Sequence, residues 1–243
     1  RVMGNLKPDL LINCAAYTKV DQAEEEPEKA FAVNSEGVKN LANYCASHNI
    51  KLVHFSTDYV FPGTEEDHQK YPKGYSEDHP TNPINTYGES KLAGEQAVRE
   101  SGCEFIIMRV AWLCGKHGSN FVKTMLKMGK EREEVSVVND QFGCPSFAHN
   151  VVYNCWKLVV EHKLGTYHLC SEGKISWHEF AKEIFEQMEI PVNLKPVSSS
   201  EFPAKAKRPA FSLLNTQKIS NIPGVTIIDW KEGLTNLLAE LRS

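Results

Sequence analysis

The sequence predicts an α/β protein whose parallel sheet is covered by helices on both faces. Three observations carry this reading. Short runs centred on apolar residues recur at 10–16 (LLINCAA), 51–56 (KLVHFS) and 104–113 (EFIIMRVAWL), as expected of strands buried on both faces. Segments with apolar side chains at helical spacing separate these runs. The chain has 243 residues, 41% hydrophobic and 24% charged, the balance of a globular protein with room for one large or two small domains.

The elements follow in order. The run at 10–16 comes after Lys7-Pro8-Asp9 and reads as a buried strand. A helix over 28–48 places Phe31, Asn34, Val38, Leu41 and Cys45 on one face, at spacings of three and four. Asn34 lies inside that stripe; a buried amide hydrogen-bonded to a loop is expected, with direct ligand contact as the alternative. Residues 51–56, 104–113 and 134–139 read as the second, third and fourth strands. A polar, Pro-rich loop at 62–83 precedes a helix over 85–101, and another helix over 118–132 shows Phe121, Met125 and Met128 on one side. Strand and helix alternate, which predicts a parallel sheet. Beyond residue 140 come a helix over 148–161, a short strand over 166–170, and Ser176-Trp177-His178-Glu179, a capping box opening a helix to 188. Residues 205–209 and 229–241 complete a mixed region. The expected division is a sheet domain over 1–140 and, over 141–243, mainly an appended lobe with some helices packing back.

Composition excludes several classes. Lys and Arg total 27 against 31 Asp and Glu, a net charge of −4 without a basic block, so neither nucleic acid nor an anionic membrane is an expected partner. The most apolar run contains Arg109 and falls short of the about 20 residues that span a bilayer. Seven cysteines, none in CxxC spacing and most in apolar stretches, fit reduced thiols in the cytoplasm, with no disulfide framework or zinc site. No metal ligand set is read. The chain opens Arg1-Val2-Met3-Gly4, which reads as a span cut from a longer protein.

The chemistry concentrates at strand ends. Tyr87 and Lys91 are four residues apart on one helix face. A phenol titrates near 10, and a neighbouring ammonium favours the phenolate, letting Tyr exchange a proton with a carbonyl or alcohol oxygen. Ser56-Thr57-Asp58-Tyr59 follows the second strand and Ala15-Ala16-Tyr17-Thr18 the first. Ligands of open parallel sheets bind at such carboxyl ends.

These motifs resemble the extended short-chain dehydrogenase/reductases, and within them most closely the dTDP-4-dehydrorhamnose reductases. The resemblance runs nearly end to end through INCAAYTKVDQAEEEP (12–27), STDYVFPG (56–63), NTYGESKLAGE (85–95), RVAWLCG (109–115), NFVKTMLKMGKEREEVSVVNDQFGCP (120–145), GTYHLCSEGKISWHEFA (165–181) and KRPAFSLLNTQKI (207–219). It implies a Rossmann-like doubly wound sheet with a smaller C-terminal substrate-binding lobe, and NADPH- or NADH-dependent reduction of the C4 ketone of dTDP-4-dehydro-L-rhamnose. A related 4,6-dehydratase is expected to carry Asp-Glu after the strand-end Thr; here Thr57 is followed by Asp58-Tyr59, which suits simple ketone reduction.

By the same resemblance, Tyr87 would protonate the ketone oxygen, while Lys91 would hold the nicotinamide ribose and depress the Tyr87 pKa. Thr57 would bond the reacting oxygen or Tyr87. Ala15, Ala16, Tyr17, Thr18 and Phe55 would line the cofactor groove, and Asp58 and Trp112 would contact the deoxysugar. Gln141 and Arg208 would serve the nucleotide, Arg through its planar donor fork. The family's Gly-rich first turn is not found; about 50 residues and three strands would precede residue 1, which would fall late in a helix. The isolated chain is therefore expected to bind dinucleotide poorly. Two other readings stand beside this one: a non-catalytic subunit similar to the methionine adenosyltransferase regulatory subunit, and a 4-ketoreductase for another nucleotide sugar. Thr57, Tyr87, Lys91 and Trp112 weigh toward the enzyme, and a homodimer is possible.

Overall fold

The computed structural model describes residues 6–202 and 204–242; the chain start, with its expected helix end, lies outside them. Four parallel strands form the main sheet in the order β1 (Leu10–Asn13), β2 (Lys51–Thr57), β3 (Phe105–Val110) and β4 (Gly165–Leu169). The principal helices are α1 (Gly37–His48), α2 (Thr86–Glu100), α3 (Phe121–Glu131), α4 (Ala148–Val160), α5 (Trp177–Gln187) and α6 (Trp230–Arg242).

Alternation along the strands sorts the core into two layers. Leu52 and Ile107 pack with Val38, Ala42 and Cys45 of α1 and Val98 of α2. Their neighbours Val53, Ile106 and Met108 point the other way, onto Val151, Cys155 and Leu158 of α4. The sheet is thus covered on both faces, the doubly wound arrangement that leaves the carboxyl ends of its strands open as a ligand crevice.

Two strands sit elsewhere than the sequence led us to expect. Residues 134–139 do supply a strand (Glu134–Val138), but it pairs with Asn193–Val197 in a separate two-stranded sheet. The fourth place in the main sheet goes to β4, which reads from sequence as part of the appended lobe; it pairs with β3, Met108 opposite Tyr167. The physical cause is burial. Glu134–Val138 buries only Val135 and Val137, against the cluster of Phe180, Ile184, Phe185 and Leu234, whereas four of the six β3 residues are buried. A strand with one dry face belongs on the outside of a layer, not in the middle of a doubly covered sheet.

The expected helix over 28–48 is also interrupted. It runs as Pro27–Phe31, then a π-helical stretch Ala32–Glu36, then α1. Wider turns of this kind occur often at functional sites. Here the stretch carries Asn34, which is fully buried.

Candidate active site

Helix α2 is fixed at its N-terminus from three directions. Asn85 caps it, its side-chain oxygen accepting from Gly88 N–H at 2.8 Å, and its amide donates to the Lys207 carbonyl at 2.8 Å. The Glu24 carboxylate accepts from Thr86 N–H and Oγ1 at 2.9 and 3.0 Å; a negative charge suits a helix N-terminus. Gly88 lets the helix touch the tip of β2, since a Cβ there would stand 2.3 Å from the Tyr59 carbonyl oxygen. Tyr87, in the first turn, is thereby pressed against the strand tip, its ring edge-on to Tyr59 at 5.5 Å.

At that tip Thr57 Oγ1 accepts from Tyr59 N–H at 3.2 Å and donates to Asp58 Oδ1 at 2.9 Å. Asp58 is buried, and its second oxygen has no partner. Burial pushes its carboxyl up to about 7, although the Thr57 and Ser212 hydroxyls oppose the rise. Burial likewise pushes the Tyr87 phenol up to about 12, with Asp58 adding and Thr57 opposing. This departs from the expectation that Lys91 depresses the phenol. Lys91, itself buried, gives its ammonium to the Phe55 carbonyl at 2.7 Å, and burial outweighs the other groups acting on the phenol. Burial draws Lys91 down to about 8, and Glu95 opposes.

The loop after β1 presents Ala15, Ala16 and Thr18 with their surfaces open. Tyr17 is pinned on both backbone groups by Asn34, whose oxygen accepts from Tyr17 N–H at 2.8 Å while its amide donates to the Tyr17 carbonyl at 3.0 Å. The same amide donates to Ser90 Oγ at 3.0 Å, tying the loop to α2 beside Tyr87. Asn34 is thus the buried amide bonded to a loop. Small side chains at a strand end leave room for a dinucleotide against the backbone, and Lys91 and Phe55 stand at the neighbouring strand end. Open strand ends of this kind are where such a cofactor would lie.

On the other side, Trp112 holds a left-handed backbone (φ 49°), a conformation that costs a non-glycine residue energy and clusters at functional sites. It stacks on Trp177 at 3.6 Å and donates to Ser212 Oγ at 3.1 Å. The same hydroxyl opposes the rise of the Asp58 carboxyl and lies 3.4 Å from the Phe142 carbonyl. Gly143 leaves room for it, since a Cβ there would lie 2.6 Å from Ser212 Oγ.

Beyond Tyr59 opens a cavity of about 600 Å³ that Gln141, Arg208, Met128 and Trp177 help to line. Arg208 donates through Nη2 to Asp21 at 2.7 Å, while Nη1 is buried without a partner. An unpaired guanidinium N–H is costly to bury, and an acceptor entering the cavity would satisfy it.

Over residues 1–243 the chain matches the family model described as RmlD substrate binding domain. The chain belongs to this family. It is 37% identical over 249 residues to a dTDP-4-dehydrorhamnose reductase of Escherichia coli K12, covering 98% of this chain and 81% of that protein. A dTDP-4-dehydrorhamnose reductase of Bacillus anthracis, crystallised in complex with NADP, superposes with a TM-score of 0.93 at 44% identity, over 98% of this chain and 83% of that one. A dTDP-4-dehydrorhamnose reductase ortholog from Clostridium acetobutylicum gives a TM-score of 0.94 at 38% identity, over 100% and 84% of the two chains.

Several members of this RmlD-type site escape sequence reasoning. Asp21 aims Arg208 and also accepts from Ala206 N–H at 3.0 Å, and Ser212 accepts from Trp112. Both act across long stretches of chain, where spacing carries no signal. The π-helical stretch at Asn34 is similarly silent. The polar Asn34 within an apolar stripe was the available clue. Among the described residues no group of three or more His, Cys, Asp or Glu could hold a metal, and no helix is long and apolar enough to cross a membrane.

Proposed function

We propose that the protein reduces the C4 ketone of dTDP-4-dehydro-L-rhamnose to the alcohol of dTDP-L-rhamnose, with NADPH as the reductant. The named relatives, one of them bound to NADP, support this reading. The observation that carries it is the meeting of Tyr87, Thr57 and Asp58 at one strand tip, beside a cavity whose far wall holds an arginine with a donor to spare.

The cofactor, when bound, supplies hydride to the ketone carbon. Everything else falls to side chains. Tyr87 gives its phenolic proton to the ketone oxygen as charge develops there. A phenol held near 12 by burial is a firm proton holder and donates only to an oxygen becoming alkoxide. Thr57 steadies that oxygen or the resulting phenolate. Lys91 holds the ribose with its remaining N–H groups. Asp58 and Trp112 orient the deoxysugar, and Gln141 and Arg208 bind the nucleotide, whose diphosphate matches the guanidinium fork. Residue 59 is a tyrosine where a dehydratase is expected to carry a second carboxylate. In this reading the main sheet with its crossover helices serves the cofactor, and the C-terminal region serves the nucleotide sugar.

The test is turnover. Full-length enzyme given dTDP-4-dehydro-L-rhamnose and NADPH is expected to consume NADPH absorbance and yield dTDP-L-rhamnose. Faster turnover of UDP- or GDP-linked ketosugars would reassign the nucleotide, and no turnover of any would favour a non-catalytic subunit.

A further inference from the structure

Tyr87, Lys91 and Glu95 lie at i, i+4 and i+8 on α2, one face of the helix. Glu95 is fully buried. Its carboxylate collects three guanidinium N–H groups: Arg109 of β3 gives Nε at 2.9 Å and Nη2 at 2.7 Å, and Arg99 gives Nη2 at 2.7 Å. Burial would drive such a carboxyl to keep its proton, but Arg109 overrules it and holds the acid at about 2.

The surroundings of Lys91 make this charge consequential. Its ammonium touches the Phe55 carbonyl of β2. From the same strand His54 faces it, fully buried and pushed down to about 3, first by burial and then by Lys91, hence neutral. His168 of β4, beside Arg109 at 3.3 Å, is also held near 3 by burial and is neutral. Glu77, raised by burial, faces His168 and Arg109 rather than Lys91. Among the described residues, Glu95 is the carboxylate that acts on Lys91.

We propose that Glu95 is a positioning residue of the reductase site: its carboxylate, locked ionised by Arg109, keeps the buried Lys91 ammonium protonated and therefore able to donate at the strand tip. Glu95 stands one turn behind Lys91 on the same helix face, where residues four apart are neighbours. This rests on reading Lys91 as the cation that meets the cofactor, but its test does not.

The experiment is a pH titration of the Lys91 side chain by NMR, with ¹³C-labelled lysine in the full-length enzyme and Lys91→Arg to assign the signal. In Glu95→Gln the Lys91 midpoint is expected to fall by about one unit or more, the usual effect of removing an opposite charge at this range. An unmoved midpoint overturns the proposal. If Glu95→Gln fails to fold with Arg109 left bare, the double variant Glu95→Gln with Arg109→Met decides. Compared with Arg109→Met alone, from which it differs only in the carboxylate, its midpoint is lower if Glu95 positions the charge and the same if the pair is merely structural. In turnover the same loss appears as a higher KM for NADPH and an alkaline limb moved toward neutral pH. Should turnover itself be absent, the titration still reads Glu95 independently.

Discussion

Replacing Asp58 with asparagine should stabilise the fold in a way that depends on pH. Asp58 is 3% exposed, and one carboxylate oxygen has no partner. Its folded-state value lies at about 7 against an ordinary 3.8. The native state thus holds this proton more tightly than the unfolded chain does, so stability falls as pH rises from about 4 to about 7 and levels off above. At about 1.4 kcal/mol per unit, this rise of about three units amounts to roughly 4 kcal/mol as a ceiling. An asparagine at this position carries no such titration. Urea unfolding of wild type and Asp58→Asn at a series of pH values gives the difference directly. It should favour the variant progressively as pH increases and flatten above about 7. The variant should lose turnover at the same time, if the carboxylate orients the sugar. A stability difference that is constant with pH would refute the reasoning, because the carboxyl would then be ionised in both states.

Three further outcomes follow from the same geometry. Gly88→Ala forces a Cβ to 2.3 Å from the Tyr59 carbonyl; it should cost about 1–3 kcal/mol of stability and displace Tyr87, so both Tm and kcat fall, and an unchanged Tm would count against the close contact. Asn34→Ala removes three hydrogen bonds at the Tyr17 loop; it should cost about 1–3 kcal/mol and raise the KM for NADPH more than that for the sugar nucleotide. Arg208→Lys keeps the charge and loses the fork. The KM for the sugar nucleotide should rise about tenfold with kcat less affected, and an unchanged KM would remove Arg208 from the nucleotide side.

Much of this was legible in the letters because it is local. The Ser176–Glu179 capping box forms as written, with both reciprocal bonds. Asn85 caps the helix that carries Tyr87 and Lys91, and Thr57 stands at the end of its strand. Placement of strands was harder. Glu-Val-Ser-Val at 134–137 alternates polar and apolar, the mark of a half-buried strand, and that alternation, weighed against the continuous FIIMRV of β3, was the available signal for a separate sheet. Strand β4 hid its place for the opposite reason. His168 and Thr166 make GTYHL look like lobe, yet His168 is fully buried, bonded to the Tyr75 carbonyl at 3.0 Å and set beside Arg109. A polar side chain can sit in a central strand once partners from distant segments satisfy it. The depressed phenol expected of a Tyr-Lys pair differs for another reason: burial raises Tyr87 to about 12, and residue spacing carries no measure of burial.

The central claim is that Tyr87 supplies the proton that completes ketone reduction. Single-turnover reduction of dTDP-4-dehydro-L-rhamnose by Tyr87→Phe, at saturating NADPH, tests it most directly. The account predicts a rate about 10²–10⁴ lower than wild type, with cofactor and sugar-nucleotide binding retained. A wild-type rate from the phenylalanine variant would contradict it and move the proton donor elsewhere in the cleft.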